Sequence, residues 1–160
     1  MPSCLPTIKA PCDNVGLANA QMTCSDGRPA GLLTGYSPTS LTQAQATCAQ
    51  GQYIRGFRRS AIPALSNGDK IGMDGIEIFC SNPNTPDAFE QKTVQPSVWG
   101  SWQPSVLCDS GYFVSTVSAL YQQPAADGSG DDTAMNSLQF SCSFVSCPPL
   151  HVLVDHKCCE

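Results

Sequence analysis

Charge is scarce in this chain: 8 Lys and Arg and 13 Asp and Glu stand among 160 residues, a formal net charge of −5. A basic stripe able to hold phosphates is missing, so nucleic acid is not an expected partner. No run of eighteen apolar residues occurs, and no membrane span is expected. The opening MPSCLPTIKAPC has no apolar stretch of the signal-peptide kind; we read Met1 as heading a mature chain whose leader has been removed. No Asn-x-Ser/Thr sequon with a permitted middle residue is present, so N-linked glycans are not expected. Phosphate loop, dinucleotide fingerprint and Ser-His-Asp pattern are all lacking, and no cofactor is implied.

Cysteine, by contrast, is abundant. Ten cysteines are spread over the whole chain, an even number at a density normal for secreted, disulfide-stapled domains and hard to keep in a reducing cytosol. Secretion into an extracellular compartment is the expected localisation. The length suits one domain, residues 1–160, with a core of its own.

Three of the cysteines end related segments: CDNVGLANAQMTC at Cys24, GDKIGMDGIEIFC at Cys80 and GDDTAMNSLQFSC at Cys142. Asp13, Asp69 and Asp131 each stand eleven residues before the closing cysteine. Apolar side chains recur two residues before it (Met22, Ile78, Phe140), four before it (Ala20, Ile76, Leu138) and seven before it (Leu17, Met73, Met135). The first two sets have strand period, and the Gly and Asn residues make a helix unfavourable. Each segment is predicted to be an Asp-bearing turn followed by a strand.

Upstream, Cys48 and Cys108 each precede a glycine by three residues and then a strand, in CAQGQYIRGFRR and CDSGYFVSTVSALY. Two units share this plan, with 32 residues from Cys48 to Cys80 and 34 from Cys108 to Cys142. The third has only its second half at the N-terminus. Its first half is assigned to the tail, CPPLHVLVDHKCCE, where His151, Leu153 and Asp155 alternate with Val152, Val154 and His156. The expected fold is therefore all-β: three sheets around a pseudo-threefold axis, in units of approximately 25–80, 81–142, and 143–160 plus 1–24, with both termini completing one sheet. Each sheet alone is marginal, whereas three packed face-inward share one core. Cys48–Cys80 and Cys108–Cys142 are the expected disulfides, each contributing about 3–4 kcal/mol in the chain-entropy model. Cys4, Cys12, Cys24, Cys147, Cys158 and Cys159 are expected to staple the termini.

Val98 to Cys142 resembles a repeat of the vitelline membrane outer layer protein 1 family. The resemblance is carried by a Trp-Gly-x-Trp start at Trp99, Gly100 and Trp102 and by a Cys-x-x-Gly strand start at Cys108 and Gly111. A Gly-Asp-Asp-Thr-Ala-x-Asn turn completes it, at Gly130, Asp131, Asp132, Thr133, Ala134 and Asn136. It implies a secreted, lectin-like β-prism of three Greek-key sheets. Founding members lie in the outer layer of the egg's vitelline membrane and relatives occur in other secretions. A transferase activity making chito-oligosaccharides has been attributed to the family, without agreed catalytic residues. This chain departs from the pattern at Lys70, Ile71 and Gly72, where the motif has Asp-Thr-Ala.

Asp131 and Asp132, with Asp69 at the matching corner, are candidate ligand-binding residues. A carboxylate pair for glycoside chemistry needs two acids about 5–10 Å apart, but the recurrence of the Asp131 position favours a turn-capping role. A calcium loop counted from Asp127 fails, since Asp132 replaces the glycine and Leu138 the closing glutamate. Trp99 and Trp102 offer rings to stack on sugar faces, or to wedge between sheets. Arg55, Arg58 and Arg59 form the one basic cluster; strand alternation places Arg55 and Arg59 with Tyr53 and Phe57 and Arg58 on the other face, a set suited to acidic glycans or an anionic partner, with a solvated edge as the plainer reading. His151 and His156 lie among cysteines whose spacing matches no zinc motif, so no metal is expected. The expected function is non-enzymatic: binding of glycans or glycoproteins in an extracellular coat or secretion, as a monomer or weak oligomer. Two alternatives stand beside it: a glycosyltransferase or hydrolase acting on N-acetylglucosamine oligomers, and an antimicrobial defence protein.

Overall fold

Strands form where β-branched and aromatic residues run between clusters of Gly, Pro and Asn. The computed structural model describes residues 17, 19–23, 29–34, 44–61, 72–97, 100–121 and 135–145. Its strands are β1 (Asn19–Thr23), β2 (Pro29–Thr34), β3 (Tyr53–Ala61), β4 (Met73–Asn82), β5 (Thr85–Gln95), β6 (Ser101–Trp102), β7 (Val106–Leu107), β8 (Tyr112–Tyr121) and β9 (Met135–Phe144). No helix occurs among the described residues, and none is long and apolar enough to cross a membrane. The predicted all-β class is correct.

Among the described residues all pairings are antiparallel and fall into three sheets: β1 with β2, β8 with β9, and a middle sheet in the order β5-β4-β3-β6 with β7 also on β3. Three consecutive neighbours followed by a fourth strand that returns beside the first is the Greek-key order. The tight turn from β4 to β5 is closed by Asn82, whose Oδ1 accepts the Asn84 amide at 2.9 Å. The Trp-Gly-x-Trp segment, read in sequence as opening the following unit, is the returning strand here. Ser101 and Trp102 pair with Ala61 and Ser60, and Val106 and Leu107 with Phe57 and Gly56.

The ladders β3–β4 and β8–β9 keep the same step. Ile54 pairs with Cys80 and Val114 with Cys142; each first strand then carries one extra residue, Arg55 or Ser115, before pairing resumes at Gly56–Phe79 and Thr116–Ser141. Each second strand carries one at the far end, Asp74 or Asn136. A bulge of this kind changes which residues share a face. Ile54 and Phe57 both reach the interior, as do Val114 and Val117. It also separates Arg55 from Arg59, contrary to strict alternation.

Disulfides join Cys48 to Cys80 and Cys108 to Cys142, with Cα separations of 5.5 and 5.8 Å. The six remaining cysteines, the corner residues Asp13, Asp69, Asp131 and Asp132, both histidines and the proposed meeting of the chain ends lie outside the described residues.

One interior is shared by all three sheets. Phe57, Ile76, Ile78 and Cys80 form its centre, and Met22, Val94, Val114, Val117, Leu138 and Phe140 pack against them. Met22, Ile78 and Phe140, two residues before their cysteines, thus converge. The Phe57 and Phe140 rings lie 5.4 Å apart. At one end the residues seven before each cysteine meet through their backbones. Leu17 donates its amide to the Met73 carbonyl at 2.7 Å, and Met135 donates to the Leu17 carbonyl at 3.0 Å. A Cβ on Gly72 would lie 2.5 Å from the Met135 carbonyl oxygen, so only glycine lets these strands pass so closely.

Candidate functional site

Four side chains form a row across the middle sheet, each placed by register. Trp102 on β6 pairs with Ser60, two residues along β3 from Arg58; Arg58 pairs with Glu77 on β4, and Glu77 with Thr93 on β5. The Arg58 guanidinium lies 5.0 Å from the centroid of the Trp102 ring, a cation–π contact. Its Nε donates to Glu77 Oε2 at 2.6 Å, with Nη2 at 2.5 Å from the same oxygen. Thr93 Oγ1 donates to Glu77 Oε1 at 3.3 Å. Both carboxylate oxygens are occupied, and the Glu77 side chain is only 6% exposed while that of Arg58 is 29% exposed. A charge so enclosed is tolerable because it is paired and hydrogen-bonded.

A second network fixes the turn before Trp102. Asp74, the extra residue of β4, is 2% exposed. Its Oδ2 accepts the Gly100 amide at 2.9 Å and the Ser97 hydroxyl lies 3.1 Å away. Ser97 Oγ also sits 2.7 Å from Ser60 Oγ and 3.1 Å from the Gly100 carbonyl. A Cβ at Gly100 would come within 2.6 Å of Asp74 Oδ1 and 2.5 Å of Ser60 Oγ. The glycine of Trp-Gly-x-Trp is thus needed for its close approach to a buried carboxylate. That contact sets where Trp102 stands.

Of the sequence-predicted binding residues, Trp102 falls within the described part, half-buried on this row. Trp99, Asp69, Asp131 and Asp132 lie outside it. The arginines differ from the solvated edge that was expected, because β3 is flanked on both sides. Arg55 Nε donates to the Cys108 carbonyl at 3.2 Å, and Nη1 to the Pro86 carbonyl. Its guanidinium stands 6.0 Å from the Phe89 ring centroid and 3.5 Å from the exposed Asp87 carboxylate. Arg59 Nη1 donates to the Asn136 carbonyl at 2.7 Å, linking the middle sheet to β9. Asp74, Glu77, Thr93 and Ser97 were missed by sequence reasoning. The one available signal was that Asp74 and Asn136 occupy the same place, six residues before Cys80 and Cys142.

Along the row the half-buried Trp102 ring carries the Arg58 guanidinium on one face. Both buried carboxylates are engaged: the two Glu77 oxygens are held by Arg58 and by Thr93, and Asp74 by the Trp102 turn. Among the described residues no three His, Cys, Asp or Glu gather as a metal site.

The model of the family "Vitelline membrane outer layer protein I" matches residues 33–148. The vitelline membrane outer layer protein 1 homolog of Homo sapiens is 28% identical over 97 residues, covering 60% of this chain and 47% of that relative. The Mus musculus homolog is 27% identical over 97 residues, with the same coverage of 60% and 47%. The chain spans about half the length of these curated relatives.

Proposed function

The chain belongs to the vitelline membrane outer layer protein I family, and from that premise we propose that it is a secreted coat or secretion protein that binds carbohydrate or glycoprotein. Its scaffold in this reading is a β-prism of three Greek-key sheets, the third built from β1, β2 and both chain ends. The matched bulges of β3–β4 and β8–β9, the common interior and the meeting of Leu17, Met73 and Met135 support that scaffold. Two disulfides agree with an oxidising compartment.

The observation that carries the binding reading is the Trp102–Arg58–Glu77–Thr93 row, an indole held in place by an ion pair and a buried turn. An aromatic plane matches the apolar side of a pyranose, and a rigid ring binds with little loss of conformational freedom. A glycan array is the test. Wild-type protein is expected to retain a restricted set of glycans and Trp102→Ala to lose them. An array without any binder, alongside a tight protein partner in the same secretion, would overturn the reading.

A further inference from the structure

A second feature lies at the end of β8–β9, away from the Trp102 row. Tyr112 and Phe144 pair across the ladder, with ring centroids 5.4 Å apart and planes inclined at 61°. They are 41% and 57% exposed. The Phe144 ring rests on Gly111, where a Cβ would be 3.2 Å from the ring, and Gly111 has φ of +83°. That glycine belongs to the turn closed by the Tyr112 amide on the Asp109 carbonyl at 2.9 Å. Asp109 and Ser110 are exposed on the same turn.

The middle sheet supplies an internal control. Its corresponding turn closes Gln52 on the Ala49 carbonyl at 3.0 Å, with Gly51 at φ +77°. There the residue over the glycine is Asn82, whose Nδ2 would stand 3.9 Å from a Cβ on Gly51. The same geometry therefore forms with two amides, Gln52 and Asn82. Two exposed rings at Tyr112 and Phe144 are not demanded by the fold.

We propose that Tyr112 and Phe144 form a site for one neutral pyranose ring, its apolar face on one aromatic ring and its edge against the other, with Asp109 and Ser110 receiving its hydroxyls. Size decides the class of ligand. Two rings of about 200 Å² each, roughly half exposed, offer about 200 Å² of apolar surface. A stable protein interface buries about 800 Å² per partner, several times more. One sugar face fits the smaller area. Charge bears on the sugar: Asp109 is the only charged residue in Asp109–Tyr112 and Ser143–Val145, and the neighbouring Arg55, on the Cys108 carbonyl, is buried and already paired with Asp87, so an anionic saccharide is disfavoured. The site rests on the reading of the chain as a carbohydrate binder but not on the Trp102 row.

The test is a titration of the full chain with chitotriose, followed by backbone amide NMR. Saturable shifts at Gly111, Tyr112 and Val145 are expected, and a sulfated trisaccharide is expected to bind more weakly. The double variant Tyr112→Gln/Phe144→Asn copies the middle-sheet pair. It is expected to keep the wild-type spectrum elsewhere while weakening binding at least about tenfold. Shifts at Trp102 without any at Gly111 or Val145 would overturn this site while leaving the proposed function standing. Tighter binding of the sulfated sugar would also overturn it, as would contacts from the Phe144 ring to Leu150 or Val152 that show the chain's own tail on the platform.

Discussion

Arg58 and Glu77 illustrate how much rests on single side chains here. Arg58→Met leaves the nearly buried Glu77 carboxylate without its cation, and such losses cost about 3–5 kcal/mol. Urea unfolding is expected to show that loss, with most of it regained in Arg58→Met/Glu77→Leu. Gly100→Ala drives a methyl group toward Asp74 and Ser60, and is expected to lower stability and displace Trp102. Tyr121 supplies a pH dependence. Burial raises its phenol above the ordinary value of 10.0. The unfolded chain then loses this proton first, so stability present below about pH 10 falls as pH rises toward the folded value. Tyr121→Phe is expected to flatten that alkaline decline in thermal melts taken across pH 9 to about pH 11.

Among elements, the bulges matter most, because they set which face each residue takes. Removing Ser115 from β8 closes the bulge and turns Tyr112, Phe113 and Val114 to the opposite faces. Phe113 is 2% exposed and packs on Tyr53 at 5.6 Å, so the deletion is expected to abolish the cooperative melt. The same elements explain what was legible in the sequence. Period-two positions before Cys80 and Cys142 identified β4 and β9 because their apolar faces meet one interior, and the cysteine spacing identified both disulfides. The extra residue at Arg55 leaves no local mark, since an arginine suits either face of a strand. The return of Ser101–Leu107 to β3 was equally hidden, because a Greek-key return is decided by long-range pairing. Trp102 stands out in the sequence by its type, whereas the placing of Asp74, Glu77 and Thr93 beside it depends on cross-strand register.

At the scale of the molecule, three small sheets hold together by filling one interior. Phe57, at its centre and against Phe140, is the strongest test: Phe57→Ala is expected to cost about 3–5 kcal/mol. The Cys108–Cys142 bridge acts differently, by restricting the unfolded chain. Cys108→Ser/Cys142→Ser is expected to lose about 3–4 kcal/mol in calorimetric or denaturant unfolding while keeping the β-sheet signature.

Carbohydrate contact at the Trp102 row, as proposed, is open to a direct fluorescence titration. With Trp99→Phe, Trp102 is the sole indole in the chain, and its emission can be followed during titration with chito-oligosaccharides. A saturable change, lost when Arg58 is replaced by Met in a variant shown to be folded, is the expected result. Emission unchanged to the solubility limit of the sugar would contradict it.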